Sequence, residues 1–265
     1  MSKVLCTIAN DKFVNGLIVT VSSFLEHNSF NGDIIVFVNK KYSNISDSNR
    51  QIISSKIDKK IIYKEIDDVD YTELINYFIL KANGESRMLR LIPSVFTFSC
   101  FDLCEKYEQV LYLDSDMLIR SSVMELFDIK TKGIYVTPAL TDYQPDVRFG
   151  EFNGGFLFLN KLGKNQIKNK LISNGLKMDD ITLFDQPILN ETLSTIAIYL
   201  SCDYNCGKRM FPDFKFNQIN DNVKIIHYVG AKPWDTNKVG FERYYRLLEN
   251  LWFEKYNNIR TLNKI

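Results

Sequence analysis

The residues best placed to do chemistry are two carboxylates at the end of an apolar run, Val110-Leu-Tyr-Leu-Asp114-Ser115-Asp116. Four strand-forming residues deliver Asp114 and Asp116. In an extended chain alternate residues share a face, so both carboxylates can reach one hard cation. The run is short, however, and Asp is also an ordinary turn former at a strand exit.

Two chemistries use such a run. In a phosphatase of the haloacid-dehalogenase type, the first Asp is a nucleophile and the second a general acid. That reading needs a downstream acidic pair, for which Asp179-Asp180 is the candidate. Alternatively the pair holds a divalent metal bridging the diphosphate of a sugar nucleotide. A second segment, Ile225-Ile-His227-Tyr-Val-Gly230-Ala-Lys232-Pro-Trp234, favours the metal. His227 is one of only two histidines, and as a third ligand an imidazole moves the preference from Mg2+ toward Mn2+. Gly230 lets the backbone approach a phosphate, and Lys232 supplies a point charge for it. Pro233 and Trp234 are expected to stiffen the loop, with the indole packed beneath. A lone histidine at a strand end is ordinarily structural; His, Gly and Lys within six residues favour function.

The elements that must position these groups alternate along the chain. Strands are predicted over Lys3–Ala9, Asp33–Asn39, Lys60–Ile66, Val110–Leu113, Gly154–Asn160 and Lys224–Tyr228. Helical spacing covers Val14 to Leu25 with Gly16 as its weak spot, then Ser46 to about Lys56. Further helices are predicted over Ser86–Glu105 (interrupted by Pro93), Asn165–Asn174, Ile181–Leu193 and Gly240–Tyr256. The alternation predicts an α/β fold with a mostly parallel sheet, right-handed crossovers and ligands beyond the carboxyl ends of the strands. Without repeats or Pro/Gly-rich linkers, residues 1–265 are expected to form one domain with 241–265 as a C-terminal helix.

Composition excludes some classes. Lys+Arg 33 against Asp+Glu 32 leaves a net charge of +1, which argues against a general nucleic-acid binder. The five cysteines, Cys6, Cys100, Cys104, Cys202 and Cys206, read as reduced, buried thiols rather than zinc ligands, since no histidine lies near either C-x3-C pair. No segment approaches the length of about 20 apolar residues that a span needs, so a soluble, cytoplasmic protein is expected, at most peripheral at the inner face of a membrane.

The motifs together resemble glycosyltransferase family 8, the family of glycogenin and of bacterial lipopolysaccharide glucosyl- and galactosyltransferases. The ordered series is Thr7-Ile-Ala-Asn10-Asp11, Gly16-Leu-Ile-Val-Thr-Val, Arg90-Leu91, Leu111-Tyr-Leu-Asp114-Ser-Asp116, Phe152-Asn153-Gly154-Gly155, Asp185-Gln186-Pro-Ile-Leu-Asn190, Tyr204-Asn205 and the closing His227 to Trp234 segment. Two departures stand out. Only Ala231 separates Gly230 from Lys232, where two residues are usual, and Asn10-Asp11 replaces a common acidic pair.

The resemblance implies a single-domain GT-A fold, Rossmann-like, and α-linked transfer of glucose or galactose from a UDP-sugar with retention. It implies Mn2+, with Mg2+ as the alternative, on Asp114, Asp116 and His227. It places Asn10, Asp11, Arg90, Ser115, Gly230 and Lys232 on the nucleotide. Asn153, Asp185 and Gln186 then hold the donor sugar, the last two also being the candidate nucleophiles. Asp185-Gln186 equally suits a helix start, Asn153-Gly-Gly a bent strand, and Arg90 a surface ion pair. A non-catalytic nucleotide-sugar-binding protein is the other class, disfavoured because every expected metal and phosphate residue is present. The acceptor is a glycan, free or lipid-linked. Residues 241–265 carry six aromatics and five basic residues against three acidic ones, which suits either an interfacial helix or one that packs Leu247, Leu248, Leu251 and Trp252 onto the domain.

Overall fold

Near-continuous apolar runs, buried on both faces, build the central sheet of the computed structural model, which describes residues 1–85, 89–139, 151–179, 185–236 and 238–262. The strands are β1 (Lys3–Ile8), β2 (Asp33–Val38), β3 (Ile61–Glu65), β4 (Gln109–Leu113), β5 (Met117–Ile119), β6 (Gly133–Val136), β7 (Phe156–Asn160), β8 (Ala197–Tyr199), β9 (Cys206–Gly207) and β10 (Ile225–His227). Seven form one sheet in the order β3-β2-β1-β4-β7-β6-β8, and β5-β10-β9 form a small second sheet. The first four pair in parallel, whereas β7 runs antiparallel to both β4 and β6.

The helices are α1 (Val14–His27), α2 (Asp47–Ser54), α3 (Thr72–Ala82), α4 (Cys100–Leu103), α5 (Ile167–Gly175), α6 (Asp185–Leu193) and α7 (Arg246–Leu262). Val4, Cys6, Val110 and Tyr112 face a core shared with α3, α5 and α6. Leu5, Leu111 and Leu113 point the other way, toward Phe24 and Phe127. On that second side Ile34 and Val36 meet α1 and α7.

Several boundaries differ from the sequence expectation for local reasons. The pattern expected as a helix over 86–105 is, in its described part, a 3-10 segment Ile92–Ser99 running into α4. Pro93 occupies its first turn, where a missing N–H costs nothing, so it starts the segment instead of interrupting one. Residues 86–88 of that expectation, and 181–184 of the Ile181–Leu193 helix, lie outside the described residues. Helix α3 was not expected from the periodicity; it buries Leu74, Ile75 and Phe78.

The chain's last helix begins as a 3-10 turn, Gly240–Tyr245, before α7. Leu248 and Trp252 are fully buried. At about 1.5–3 kcal/mol for each large apolar side chain buried, this packing outweighs any exposed ion pair on the helix. Leu247, expected to pack, is 44% exposed.

Helix α1 supports the start of β5 through side chains. Thr20 Oγ1 donates to Met117 O at 2.9 Å and accepts from Met117 N–H at 3.0 Å, while Ser23 Oγ accepts from Ile119 N–H at 3.1 Å. The two hydroxyls satisfy an edge that would otherwise lack a neighbouring strand. Gly16 brings α1 close enough: a Cβ there would lie 2.3 Å from Ser115 O and 2.4 Å from the Trp234 ring. The weak spot of the helix is thus its contact with the turn that carries Asp114 and Asp116.

Candidate active site

Strand β4 delivers Asp114 to the carboxyl end of the sheet, where its N–H still bonds Gly155 O at 2.9 Å. The chain then turns at Ser115-Asp116 before entering β5. The carboxylates therefore converge through a turn and not, as expected, through alternation along an extended strand. The turn takes β5 out of the main sheet to pair with β10, and Tyr228 N–H bonds Asp116 O at 3.0 Å.

Asp114, Asp116 and His227 can each present one ligand atom within 4.8 Å of the others. His227 Nε2 lies 3.2 Å from Asp116 Oδ1 and 3.5 Å from Asp114 Oδ2. The ring is oriented from behind. Asn205 Nδ2 donates to Thr137 Oγ1 at 3.1 Å and to Asn153 Oδ1 at 3.0 Å, which turns Asn205 Oδ1 to His227 Nδ1 at 2.9 Å. This network places a hydrogen on Nδ1 and leaves Nε2 as the nitrogen that faces the two carboxylates.

Two acids and an imidazole nitrogen form a donor set suited to a divalent cation. Gly155 preserves the space, since a Cβ would sit 2.6 Å from His227 Cε1 and 2.7 Å from Asp114 Oδ2. The residues present therefore fit a metal. Among the described residues no other group of His, Cys, Asp and Glu has such an arrangement, and the five cysteines are free.

Electrostatics separates the two acids. Burial pushes both upward. For Asp116, the Lys232 ammonium and His227 more than offset burial and hold it well below the usual carboxylate range. Asp114 ends above that range, through burial and then the charge on Asp116, although Tyr112 Oη donates to its Oδ1 at 2.7 Å. Lys232 Nζ also donates to Tyr228 O at 3.1 Å and lies 5.7 Å from the centre of the Phe13 ring. Trp234 packs edge-on against Phe13 and beside Trp252.

A second set of residues meets through amides. Asn153 Nδ2 donates to Gln186 Oε1 at 3.1 Å, and Gly154 N–H approaches the same oxygen at 3.4 Å. Asn190 clips α6 to the chain before β7: its Oδ1 accepts from Phe152 N–H and its Nδ2 donates to Phe152 O, both at 2.8 Å. Asp185, in the first turn of α6, is pushed up to about 7 by burial and then by the charge on Asp114. Asp185 thus stands at a helix start, as its residue type suggested, with Gln186 hydrogen-bonded to Asn153.

Beside the acids lies a cavity of about 190 Å3 lined by Asn10, Arg90, Asp114, Ser115, Asp116 and Lys232, among others. It shares Asn10, Phe13, Arg90 and Pro93 with a second cavity of about 420 Å3, which adds Asp11, Lys41 and Tyr42. Asp11 is less available than the sequence implied. Its Oδ1 accepts from Ser46 N–H at 2.8 Å and Asn49 Nδ2 at 2.7 Å, and these bonds, Asn49's first, lower its pKa. Gly230 turns the loop at φ +80°, and a Cβ there would meet Glu242 Oε1 at 2.8 Å. Its nearest side chains are thus Glu242 and Arg209, not Asp114 or Asp116. Asp179, half of the acidic pair a phosphatase would need, ion-pairs with Lys81 at the surface at 3.1 Å; Asp180 lies outside the described residues.

The sequence reading assigned no role to Asn190, Asn205 or Tyr112, although all three stand inside motifs it singled out.

The fold and site define a glycosyltransferase of the GT-A type. The sequence model of glycosyl transferase family 8 matches residues 4–238, and the chain belongs to that family. The probable glycosyl transferase Gly of Streptococcus gordonii is 27% identical over 249 residues, covering 87% of this chain and 32% of its own length. Human glycogenin-2 is 25% identical over 235 residues, covering 85% of this chain and 42% of its own. The chain thus spans less than half of either relative. Among solved structures, galactosyltransferase LgtC in complex with donor and acceptor sugar analogues superposes with a TM-score of 0.69 at 19% identity, covering 96% of this chain and 95% of that one. Among the described residues no helix is long and apolar enough to cross a membrane.

Proposed function

We propose that the protein transfers glucose or galactose from a UDP-sugar to a glycan, with retention at the anomeric carbon, forming an α-linkage with Mn2+ as cofactor. The observation that carries this reading is the convergence of Asp114, Asp116 and His227 beside a cavity that the two acids line together with Asn10, Arg90 and Lys232. A divalent ion held by the first three would neutralise charge growing on the departing diphosphate. Lys232 is the nearest ammonium for the same anion, and Arg90 lines both cavities beside it. Asn10 and Asp11, with the free lone pairs of the second Asp11 oxygen, border the space for the base.

Asn153, Asp185 and Gln186 then orient the donor sugar. Gln186 is a poor nucleophile, because its carbonyl oxygen already accepts from Asn153 Nδ2 and Gly154 N–H. Asp185 is weakened in the same role by a pKa pushed up to about 7. These features support same-face displacement, with the departing phosphate taking the acceptor's proton. The acceptor is a free or lipid-linked glycan, and in the lipid-linked case the aromatic and basic residues of 241–265 would touch the membrane surface.

Melting temperature measured with Mn2+ and each of UDP, GDP and ADP tests the donor assignment. Ligands that bind only the folded state stabilise it by mass action, so UDP with Mn2+ should give the largest rise. Equal shifts for the three nucleotides would overturn the uridine reading.

A further inference from the structure

Behind the loop that carries Lys232 lies a buried ion cluster which the reading above does not use. Lys208 is fully buried. Its ammonium donates to Ala231 O, pairs with Glu242 Oε2 at 2.5 Å and Glu249 Oε1 at 3.7 Å, and lies 5.2 Å from the centre of the Tyr245 ring. Lys238 pairs with the other oxygen of Glu249 and donates to Pro233 O at 3.2 Å. The carbonyls gripped by the two lysines are those immediately before and after Lys232. The Lys232 N–H itself donates to Asp235 Oδ2 at 2.7 Å, so the peptide joining Ala231 to Lys232 is held at both ends by charged groups.

Burying charge in this way is not needed to dock α7, which already buries Leu248, Trp252 and Ile259. Buried ion clusters are frequently no more stabilising than apolar substitutes of the same volume, but their hydrogen bonds are directional. The strand register supplies the connection to the site. Gly207 pairs with His227 across β9 and β10, so Asn205, which orients His227, and Lys208, which grips the loop, flank the same two-residue strand.

We propose that Lys208 and Lys238 are positioning residues which, with Glu249 as their shared counter-charge, hold the loop so that Lys232 faces the diphosphate. This rests on Lys232 being a diphosphate contact, and the test separates the two claims. UDP and uridine are titrated calorimetrically, with Mn2+ present, into the wild type, Lys232→Met, Lys208→Met, Lys238→Met and the Lys208→Met/Lys232→Met double variant, each first checked for a cooperative melt.

Lys232→Met should weaken UDP at least about tenfold and leave uridine unchanged. Lys208→Met and Lys238→Met should each weaken UDP several-fold, again sparing uridine. The double variant should bind UDP no worse than Lys232→Met, because the buried lysines act through it. Wild-type UDP affinity in both Lys208→Met and Lys238→Met, with Lys232→Met impaired, overturns the positioning role alone. Equal losses for UDP and uridine also overturn it, since a general disturbance would not distinguish them. Wild-type UDP affinity in Lys232→Met overturns the reading of Lys232 itself. Should Lys208→Met fail to fold, the less buried Lys238→Met decides by the same ratio.

Discussion

On one side of the cleft Asp114, Asp116, His227 and Lys232 crowd together; on the other, Asn153, Gln186, Asn190 and Asn205 join through neutral amide hydrogen bonds. The charged side is held by mutual neutralisation, and its proton affinities move apart: Asp116 falls and Asp114 rises. Coulombic attraction is long-ranged but nearly directionless, so it gathers these groups without aiming them. The amide side does the aiming. Each of its bonds demands a particular donor facing a particular acceptor, and none changes with pH. Asn205 is where the two sides meet, since it bonds Asn153 on one and His227 on the other. Groups proposed to hold a cation are thereby oriented by groups that cannot titrate.

The comparison breaks most decisively on the charged side. Asp116→Asn removes a metal-facing carboxylate and the partner of Lys232, and transfer should fall by on the order of a thousandfold, with the cooperative melt retained. Mn2+ should no longer raise the melting temperature of the variant. Substantial turnover in this variant, or full wild-type turnover in EDTA, would show that the carboxylates act without a metal.

A smaller effect is expected where the two sides join. Asn205→Ala leaves all three candidate ligands in place but frees the imidazole to rotate or change tautomer. Mn2+ affinity should drop about ten- to a hundredfold, measured by direct titration. Unchanged affinity would mean that the pairing of β9 with β10 suffices to orient His227.

The smallest effect is on stability and depends on pH. Asp185 has its folded pKa raised to about 7 from an ordinary 3.8. Between those values the folded chain holds a proton that the unfolded chain has lost, so stability declines as pH rises from about 4 to about 7 and levels off above. Asp185→Asn abolishes this loss. In metal-free protein its melting temperature relative to wild type should therefore climb across that interval, with little further change at higher pH. A gain independent of pH would point to packing rather than titration at the head of α6.

Much of the site could be read before any coordinates because chemistry needs particular side chains at particular spacings. Asp114 and Asp116 after an apolar strand, and His227, Gly230 and Lys232 after another, signal function by type alone. Parallel strands alternating with helices were likewise legible, since each buried strand and each helix carries its own periodicity. Helix α3 escaped because exposed apolar residues, Ile79 and Leu80, stand beside the buried Leu74, Ile75 and Phe78 and blur its stripe. Residues 92–99 misled in the opposite direction, since an apolar run has the same pattern whether it winds as 3-10 or α.

What the sequence by itself determined is the inventory: the acids, the imidazole, the amides, and the strands and helices able to carry them. Tertiary structure alone decided which residues serve one another. Asp11 is drawn toward α2, Gly16 admits the turn at Ser115, Asn205 sets the ring of His227, and Lys208 grips the carbonyl before Lys232. The physical reason is that local periodicity is encoded within a few residues, whereas hydrogen bonds and ion pairs join positions separated by tens to hundreds of residues. Their partners emerge only when sheet order and strand register bring distant segments within about 3 Å.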